Sequence, residues 1–397
     1  MATFFRAVGI ALLFCSSVLA GWTSPHDLQL EENAPAALLP FPREVKWKEG
    51  QLELPAAEGW KLTGKEAKNS SVQLAWKGLL SEIKSKGKGK LTVRLRGAGD
   101  KLNDEQKAEG YVLQVNDKGI TIGAETTAGF FYGLQTLRQL VHKKKAIPHC
   151  FIVDWPAFRY RGYMQDCGRN FRKVERLKKE LDLAARLKVN LFHWHLTDYP
   201  AWHIQCKAYP QLNAPRHRTR DLNDTYSYDE IREVFAYAKE RCITIIPELD
   251  MPGHSAYFTR AFGFKMHTPE GMKIVSRLLD EFCKEIPADI CPIVHFGADE
   301  VRIPNAAEFV GMVMPSSRNT TASPCSGPAV ATCPSARIPS SNAGVKGRIW
   351  WPNPSARSAS LAARSTPPWA MPTCSTPPWP CAATSSCVPA ALPRAMS

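Results

Sequence analysis

The sequence lacks three patterns, and each absence narrows the class of protein. None of its twelve cysteines forms a C-x-x-C pair, which argues against a zinc ribbon or a thioredoxin-like redox motif. After the first 20 residues, no apolar run approaches the ~20 residues that a membrane-spanning helix needs. No aspartate or glutamate follows Glu308 in this 397-residue chain. We therefore expect no membrane span, and a C-terminal part unlike the rest.

The missing acidic residues also explain much of the basic charge. The formal net charge is +14, and the seven lysines and arginines after Glu308 supply half of it. The other half lies earlier, where lysines cluster at 84–90 and 143–145, and we predict solvated loops there. Because the charge is divided in this way, we expect no nucleic-acid partner.

The first 20 residues have the composition of a signal peptide. Arg6 is their one basic residue, and it precedes the apolar run Val8–Phe14 and the small-residue stretch Val18–Ala20. We predict cleavage near Gly21 and export to the periplasm or the extracellular space. A lipoprotein signal anchored at Cys15 is the weaker alternative, because no small-residue box precedes that cysteine. Export permits disulfides, but the sequence leaves their pairing open.

Residues 39–150 predict a small α+β domain. Apolar and polar residues alternate in Leu91–Leu95 and Tyr111–Val115, and Gly119–Ile122 adds a third strand. A helix is predicted from about Thr127 to Leu140. We expect an antiparallel sheet in this domain and no chemistry of its own.

From residue 151 to about residue 310, strand and helix patterns alternate. Strands are predicted at 160–165, 189–196, 243–246 and 290–296, and helices at 174–188, 229–241 and 272–286. Such alternation predicts a parallel α/β sheet or barrel. The strands end in acidic residues, which are Asp166, Asp198, Glu248 with Asp250, and Asp299 with Glu300. Functional groups at the carboxyl ends of parallel strands are typical of a barrel active site.

The motifs around these strands resemble those of glycoside hydrolase family 20, the β-N-acetylhexosaminidases. The matching stretches are Tyr160–Gly162 with Asp166 and Arg169–Phe171, Asn190–Asp198, Ile246–His254 and His295–Val301, with Glu109–Tyr111 and Gly129–Leu137 in the smaller domain. They cover residues 39 to 301 in the order of the family. Ala298 stands where many members carry a second glycine, and Gln165 where leucine is usual.

The resemblance implies a (β/α)8 TIM-type barrel after the α+β domain, of which only about the first four strand–helix units are recognisable. It implies retaining removal of terminal β-linked N-acetylglucosamine or N-acetylgalactosamine, in which the acetamido oxygen of the substrate attacks the anomeric carbon. The partner would be a glycan or chitooligosaccharide. No cofactor or metal is implied, and the oligomeric state stays open.

The resemblance also implies residue roles. Asp299 would orient the acetamido group, and Glu300 would protonate the leaving oxygen and later activate water. Arg161 would clasp sugar hydroxyls, with Asp198 and His254 as a supporting pair beside the acid. Arg161 could instead form an ion pair with Asp166, and His254 could brace a loop.

Alternative functions stay open at this point. The spacing His193-x-His195 near Asp198, His254 and Asp299 is compatible with a metal-dependent hydrolase. Against that reading, we interpret both strand histidines, and Glu248 and Asp250, as structural groups that brace the site. A non-catalytic carbohydrate-binding protein is the other alternative.

The C-terminal part, residues 311–397, predicts an irregular tail. It holds 15 of the 31 prolines, and proline interrupts both helices and strands. We predict disorder, or an out-of-frame translation that begins between about residues 304 and 318. Either would leave about half of an eight-stranded barrel recognisable.

Overall fold

The computed structural model describes residues 35–298 and 300–313, and the backbone of 329–331. The predicted signal peptide (1–20), Asp299 and most of the predicted tail lie outside the described residues. No helix within the described ranges is long and apolar enough to cross a membrane. The described residues form two sheets, each covered by helices, and each sheet falls in one of the two predicted domains.

The N-terminal sheet has six strands in the order β1-β6-β4-β5-β3-β2. Their bounds are Glu44–Glu53 (β1), Trp60–Thr63 (β2), Leu91–Arg96 (β3), Tyr111–Asn116 (β4), Gly119–Ala124 (β5) and Ala146–Asp154 (β6). The pairs β1–β6, β6–β4 and β4–β5 are antiparallel, whereas β3 pairs parallel with both β5 and β2. The expectation of an antiparallel sheet is therefore wrong for the part of the sheet formed by β5, β3 and β2. Helix α1 (Ser70–Leu80) lies between β2 and β3 and provides the crossover that a parallel pair needs.

Helix α2 (Thr127–Val141) confirms the predicted helix of this domain and packs on β4 and β5. Its core face carries Phe130, Leu134 and Leu137, spaced three or four residues apart, and all three are buried. The helix begins where the Thr126 side chain accepts a hydrogen bond from the Gly129 backbone N–H at 3.1 Å. Asn69 caps α1 in the same way, so local sequence defines both starts.

The second sheet is parallel and has the strand order β12-β11-β10-β8-β7, with the short β9 antiparallel to β8. The strands are Gly162–Asp166 (β7), Leu191–Asp198 (β8), Ala201–Trp202 (β9), Thr244–Leu249 (β10), Ile293–His295 (β11) and Ala329–Ala331 (β12). The helices are Val174–Arg186 (α3), Tyr228–Lys239 (α4), Ala256–Phe262 (α5), Pro269–Glu285 (α6) and Ala306–Val313 (α7). The four predicted strands and three predicted helices are confirmed, and together they form part of a TIM-type barrel.

Strand β12 lies in the tail for which we predicted no regular structure. Its three residues, Ala329–Ala331, pair parallel with Ile293–His295 of β11. The tripeptide Ala-Val-Ala contains no proline, so each of its residues can donate to a ladder. The prediction of an irregular tail is therefore wrong for these three residues.

The strand register brings the carboxyl ends of the barrel strands into line. His195 of β8 pairs with Asp166 of β7 on one side and with Glu248 of β10 on the other, and Glu248 pairs with His295 of β11. Side chains from four strands therefore meet at one edge of the sheet, as expected for a barrel site. Below them, Phe192, Trp194 and Leu196 of β8 are buried in the core.

Charged residues join the two sheets near the amino ends of the barrel strands. The Lys188 ammonium, which follows α3, donates to Asp154 Oδ2 at 2.7 Å and to the Tyr111 hydroxyl at 2.9 Å. All three residues are buried, and the Tyr111 hydroxyl also bonds Asp154 at 2.8 Å. A buried ion pair with extra hydrogen bonds fixes how the barrel meets the N-terminal sheet.

Candidate active site

Glu248 is the buried centre of the polar cluster. Its Oε2 lies 2.7 Å from His193 Nε2 and 2.7 Å from His195 Nδ1, and its Oε1 lies 3.2 Å from His295 Nδ1. Burial opposes ionisation, but the close contacts with these imidazoles hold the pKa of Glu248 well below its usual range. Glu248 is therefore a carboxylate that orients histidines, as the sequence-based interpretation expected.

His195 connects Glu248 to Asp198. Its second ring nitrogen, Nε2, lies 3.0 Å from Asp198 Oδ2, and both residues are buried. Burial disfavours the imidazolium, but the hydrogen bonds to Asp198 and Glu248 prevail and raise the pKa of His195 to about 10. The pKa of Asp198 is lowered despite its burial, chiefly by the His195 hydrogen bond. Asp198 is thus a fixed negative charge at the end of β8.

Arg169 covers the outer side of this charge. Its Nη2 lies 2.9 Å from Asp198 Oδ2, and its Nη1 donates to Asp166 Oδ2 at 3.1 Å. The side chain is 41% exposed, so part of the guanidinium remains open to solvent. Our sequence reasoning gave Arg169 no role, although it lies three residues after Asp166, on the carboxyl side of β7.

His254 connects a second buried carboxylate to Glu300. Its Nδ1 lies 2.6 Å from Asp250 Oδ2, and its Nε2 lies 3.3 Å from Glu300 Oε2. The Glu300 side chain is 78% exposed, whereas that of Asp250 is 1% exposed. Asp198 joins this group, because its side chain and those of Asp250 and His254 have atoms within 4.8 Å of one another. Asp198 and His254 do lie together, as predicted, but Asp250 is the carboxylate hydrogen-bonded to the imidazole.

The loop after β11 carries Glu300 in an unusual backbone conformation. Gly297, Ala298 and Glu300 have φ of +59°, +68° and +50°. A Cβ on Gly297 would clash with Asp250 Oδ1, so glycine is required for both its conformation and its contact. The loop therefore packs directly against Asp250, the buried carboxylate that is hydrogen-bonded to His254.

Asp250 is a buried acid of the described cluster whose surroundings disfavour its charged form. Its Oδ1 is buried without a hydrogen-bond partner, while Oδ2 faces His254. Burial is the main cause that raises the pKa of Asp250 to about 6, with a further contribution from the Glu248 charge, against the opposing effect of His254. Asp250 therefore changes its charge near pH 6, in contact with the imidazole of His254.

Arg161 does not reach this site, which corrects its predicted role as a sugar ligand. It precedes β7, whereas Asp166 ends β7 about 16 Å further along the extended chain. Its guanidinium forms an ion pair with Glu109 and donates to the Lys188 carbonyl at 2.7 Å. The alternative partner, Asp166, is paired with Arg169 instead. Arg161 thus holds the barrel against the N-terminal sheet.

The remaining predictions concern Asp299 and a metal. Asp299 lies outside the described residues, so its role stays a prediction. For the metal alternative, His193, Glu248 and His295 have ligand-type atoms within 4.8 Å of one another, and of three further such groups among the described residues one shares Glu248 with it. Both ring nitrogens of His195 and both oxygens of Glu248 already contact charged or polar partners. His195 and Glu248 therefore have partners without an ion, whereas Asp250 Oδ1 and His193 Nε2 are buried with no hydrogen-bond partner among the described residues.

Both sheets match profiles of one family. Residues 36–155 match "Glycosyl hydrolase family 20, domain 2", and residues 158–270 match "Glycosyl hydrolase family 20, catalytic domain". The chain belongs to glycosyl hydrolase family 20. The matched residues end before β11, so the family 20 assignment rests on the scaffold and on the Asp198 and His254 region, not on Glu300.

Individual relatives of this family 20 chain are beta-hexosaminidases. The chain is 40% identical to the enzyme of Porphyromonas gingivalis over 38% of its own length, and 34% identical to that of Vibrio furnissii over 58%. Among solved structures, a family 20 exo-β-N-acetylglucosaminidase from Vibrio harveyi in complex with N-acetylglucosamine superposes on 68% of the chain, with a TM-score of 0.56 and 29% identity. The chain spans 21%, 40% and 47% of these three proteins, less than half of each.

Proposed function

We propose that this family 20 chain provides the acid–base half of a β-N-acetylhexosaminidase site, which removes terminal β-linked N-acetylhexosamine by substrate-assisted retaining hydrolysis. The names of its relatives support the substrate class, and the strand ends support the position of the site. The substrate class includes glycan ends and chitin-derived oligosaccharides. The signal-like N-terminus supports an exported enzyme.

The observation that carries the proposal is the chain of contacts from Glu300 through His254 to Asp250. An exposed carboxyl group next to a half-buried imidazole is placed to give a proton to a leaving oxygen and to take one from water. His254 can follow the change of charge on Glu300, because Asp250 stabilises its imidazolium. Asp299, the neighbour in sequence, is proposed to orient the acetamido group for attack.

Arg169 takes the place that we first gave to Arg161. Its guanidinium is held by Asp166 and Asp198 and is still partly exposed at the carboxyl end of β7. A planar fork with free donors can bind sugar hydroxyls. Asp198, ionised and fixed by His195, keeps the guanidinium aimed at the same edge as Glu300.

The direct test is hydrolysis of an aryl β-N-acetylglucosaminide by the full chain and by Glu300→Gln. We expect a loss of kcat of at least about 100-fold in the variant, since general acid catalysis contributes 10²–10⁴-fold. Glu270→Gln is the matched control, because Glu270 is an exposed acid in the first turn of α6. Equal rates in Glu300→Gln and the unchanged chain would refute the proposed role of Glu300.

A second set of measurements separates the alternatives. Saturable binding of N-acetylglucosamine without turnover in either chain would favour a carbohydrate-binding protein. Loss of hydrolysis after exhaustive chelation, with recovery on added zinc, would favour the metal-dependent alternative. Full activity after chelation supports the proposal.

A further inference from the structure

The N-terminal domain carries a basic segment that the proposed hydrolysis does not use. Lysines occupy every second position of residues 84–90, and we call Lys84, Lys86, Lys88 and Lys90 the lysine row. All four are exposed, and within the described residues none of them forms an ion pair that would neutralise it. The sequence alone predicted a solvated loop here, but the contacts of the intervening residues give it a fixed shape.

The residues between the lysines are held against the turn at Leu54–Ala56. The Ser85 hydroxyl donates to the Leu54 carbonyl, and the Gly87 carbonyl accepts from the Ala56 N–H at 2.8 Å. Gly87 also forms an isolated parallel bridge with Pro55. Ser85 and Gly87 are thus tied to the turn by hydrogen bonds, and the lysines beside them are exposed to solvent.

Close packing explains the glycine at position 87 of the lysine row. A Cβ on Gly87 would lie 2.5 Å from the Leu54 carbonyl oxygen, which real Cβ atoms do not tolerate. On the other side of the same turn, a Cβ on Gly59 would clash with the Gly89 carbonyl oxygen. The backbone around Gly87 therefore has little freedom, whereas Gly89 lies at a bend with φ +116° and with open space at the position of a Cβ.

A second basic loop flanks the same turn. The Leu54 N–H donates to the Lys145 carbonyl at 2.8 Å, which places the exposed lysines 143–145 next to Leu54. Seven lysines therefore surround this turn, whereas Glu53 and Glu58 are the exposed acids nearest to it in sequence. Such a concentration of one charge attracts a partner of the opposite sign.

We propose that the lysine row is a docking surface for a linear anionic polysaccharide, whose sulfate or carboxylate groups repeat along the chain. The row is held in place at Ser85 and Gly87, and its charges are lysine ammonium groups, which bind anionic groups as point charges. Residues 81–90 contain no aromatic side chain on which a nucleic-acid base could stack. Their one large apolar residue, Ile83, is buried, so no side chain is available to enter a lipid layer.

Binding of the full chain to heparin and to hyaluronan, measured by titration calorimetry, tests the proposal and distinguishes sulfate from carboxylate recognition. We expect the fourfold variant Lys84→Gln, Lys86→Gln, Lys88→Gln and Lys90→Gln to raise the Kd for the preferred polysaccharide at least 10-fold. The matched control neutralises four exposed, unpaired lysines on the barrel helices, Lys179, Lys239, Lys273 and Lys284, and should change Kd less than 3-fold. Equal effects of the two variants would overturn the proposal, because net charge alone would then explain binding.

Gly87→Ala keeps every charge but displaces the segment from Leu54. We expect it to weaken binding at least 3-fold with little change in the far-UV circular dichroism spectrum. Unchanged binding would show that a fixed row is not required and would refute the pre-formed surface. Tighter binding of single-stranded DNA, or of phosphatidylserine vesicles, than of either polysaccharide would also overturn the assigned partner.

Discussion

At the residue scale, Asp250 is the group whose protonation links stability to function. Its pKa is raised to about 6, against about 4 in an unfolded chain. Between these values the folded protein holds a proton that the unfolded chain has released. Stability from this group is therefore complete below about pH 4 and is lost as pH rises to 6. At neutral pH the ionised and buried Asp250 lowers the free energy of unfolding, but its charge stabilises the imidazolium of His254.

We predict that Asp250→Asn stabilises the chain at pH 7 by about 1–3 kcal/mol while it lowers hydrolysis, since the amide carries no buried charge. Urea unfolding at pH 4.5 and pH 7 provides the measurement. The unchanged chain should lose stability relative to Asp250→Asn between the two pH values. Parallel pH dependences of the two proteins would contradict the assigned pKa.

The residues of the site were only partly predictable from sequence. Glu300, His254 and Asp198 follow strands, and the structure brings them to one edge. The two arginines that flank β7 were confused, because a motif does not show which end of the strand faces the site. The direction of a parallel strand decides this, and it favours Arg169, on the carboxyl side, over Arg161.

At the element scale, the loop after β11 concentrates backbone strain. Ala298 has φ +68°, in the left-handed region where a side chain costs about 1–2 kcal/mol. It is also the position where the sequence departs from a glycine common in the family. The departure changes no reacting group, but it places strain two residues before Glu300.

We therefore predict that Ala298→Gly stabilises the chain by up to about 1 kcal/mol, after the greater entropy of glycine in the unfolded chain is deducted. Thermal unfolding provides the measurement. Ala236→Gly, at an exposed position within α4, is the matched control and should destabilise by about 1 kcal/mol. A loss of stability in both variants would argue against strain at Ala298.

Elements with a strong apolar period were predicted within a few residues, as with α2 and the four barrel strands. The N-terminal strands β1, β2 and β6 were missed. Strand β1 is largely exposed, and its apolar residues Val45, Trp47 and Leu52 are too few, and too interrupted by a register shift after Trp47, to reveal it. Strand β6 contains Pro148 and is buried on both faces, which removes the alternation on which the prediction depended.

At the scale of the whole molecule, the ion pair between Lys188 and Asp154 joins the two sheets. Burial lowers the pKa of Lys188, with a smaller contribution from the Arg161 charge, and the charge and hydrogen bond of Asp154 oppose that effect only in part. Removal of the ammonium would leave Asp154 and Tyr111 buried beside each other without a cation. Sequence motifs could not predict this contact, because Asp154 and Tyr111 lie 34 and 77 residues from Lys188 along the chain.

We predict that Lys188→Met destabilises the chain by about 3–5 kcal/mol, because one partner of a buried pair is left uncompensated. Lys178→Met is the control, since Lys178 pairs with Glu233 at the surface, where such a pair contributes about 0–1 kcal/mol. Urea unfolding of both variants gives the comparison. Similar losses in the two would show that the buried pair has no special role.

The same contact has a consequence for the modular use of this family. Lys188, Arg161 and Asn190 belong to the barrel, but their partners Asp154, Tyr111 and Glu109 belong to the preceding sheet. A chimaera that grafts this barrel onto a foreign N-terminal domain inherits a buried cation without its counter-ion. Grafts should therefore succeed only when the donor domain supplies an acid and a tyrosine at the positions of Asp154 and Tyr111.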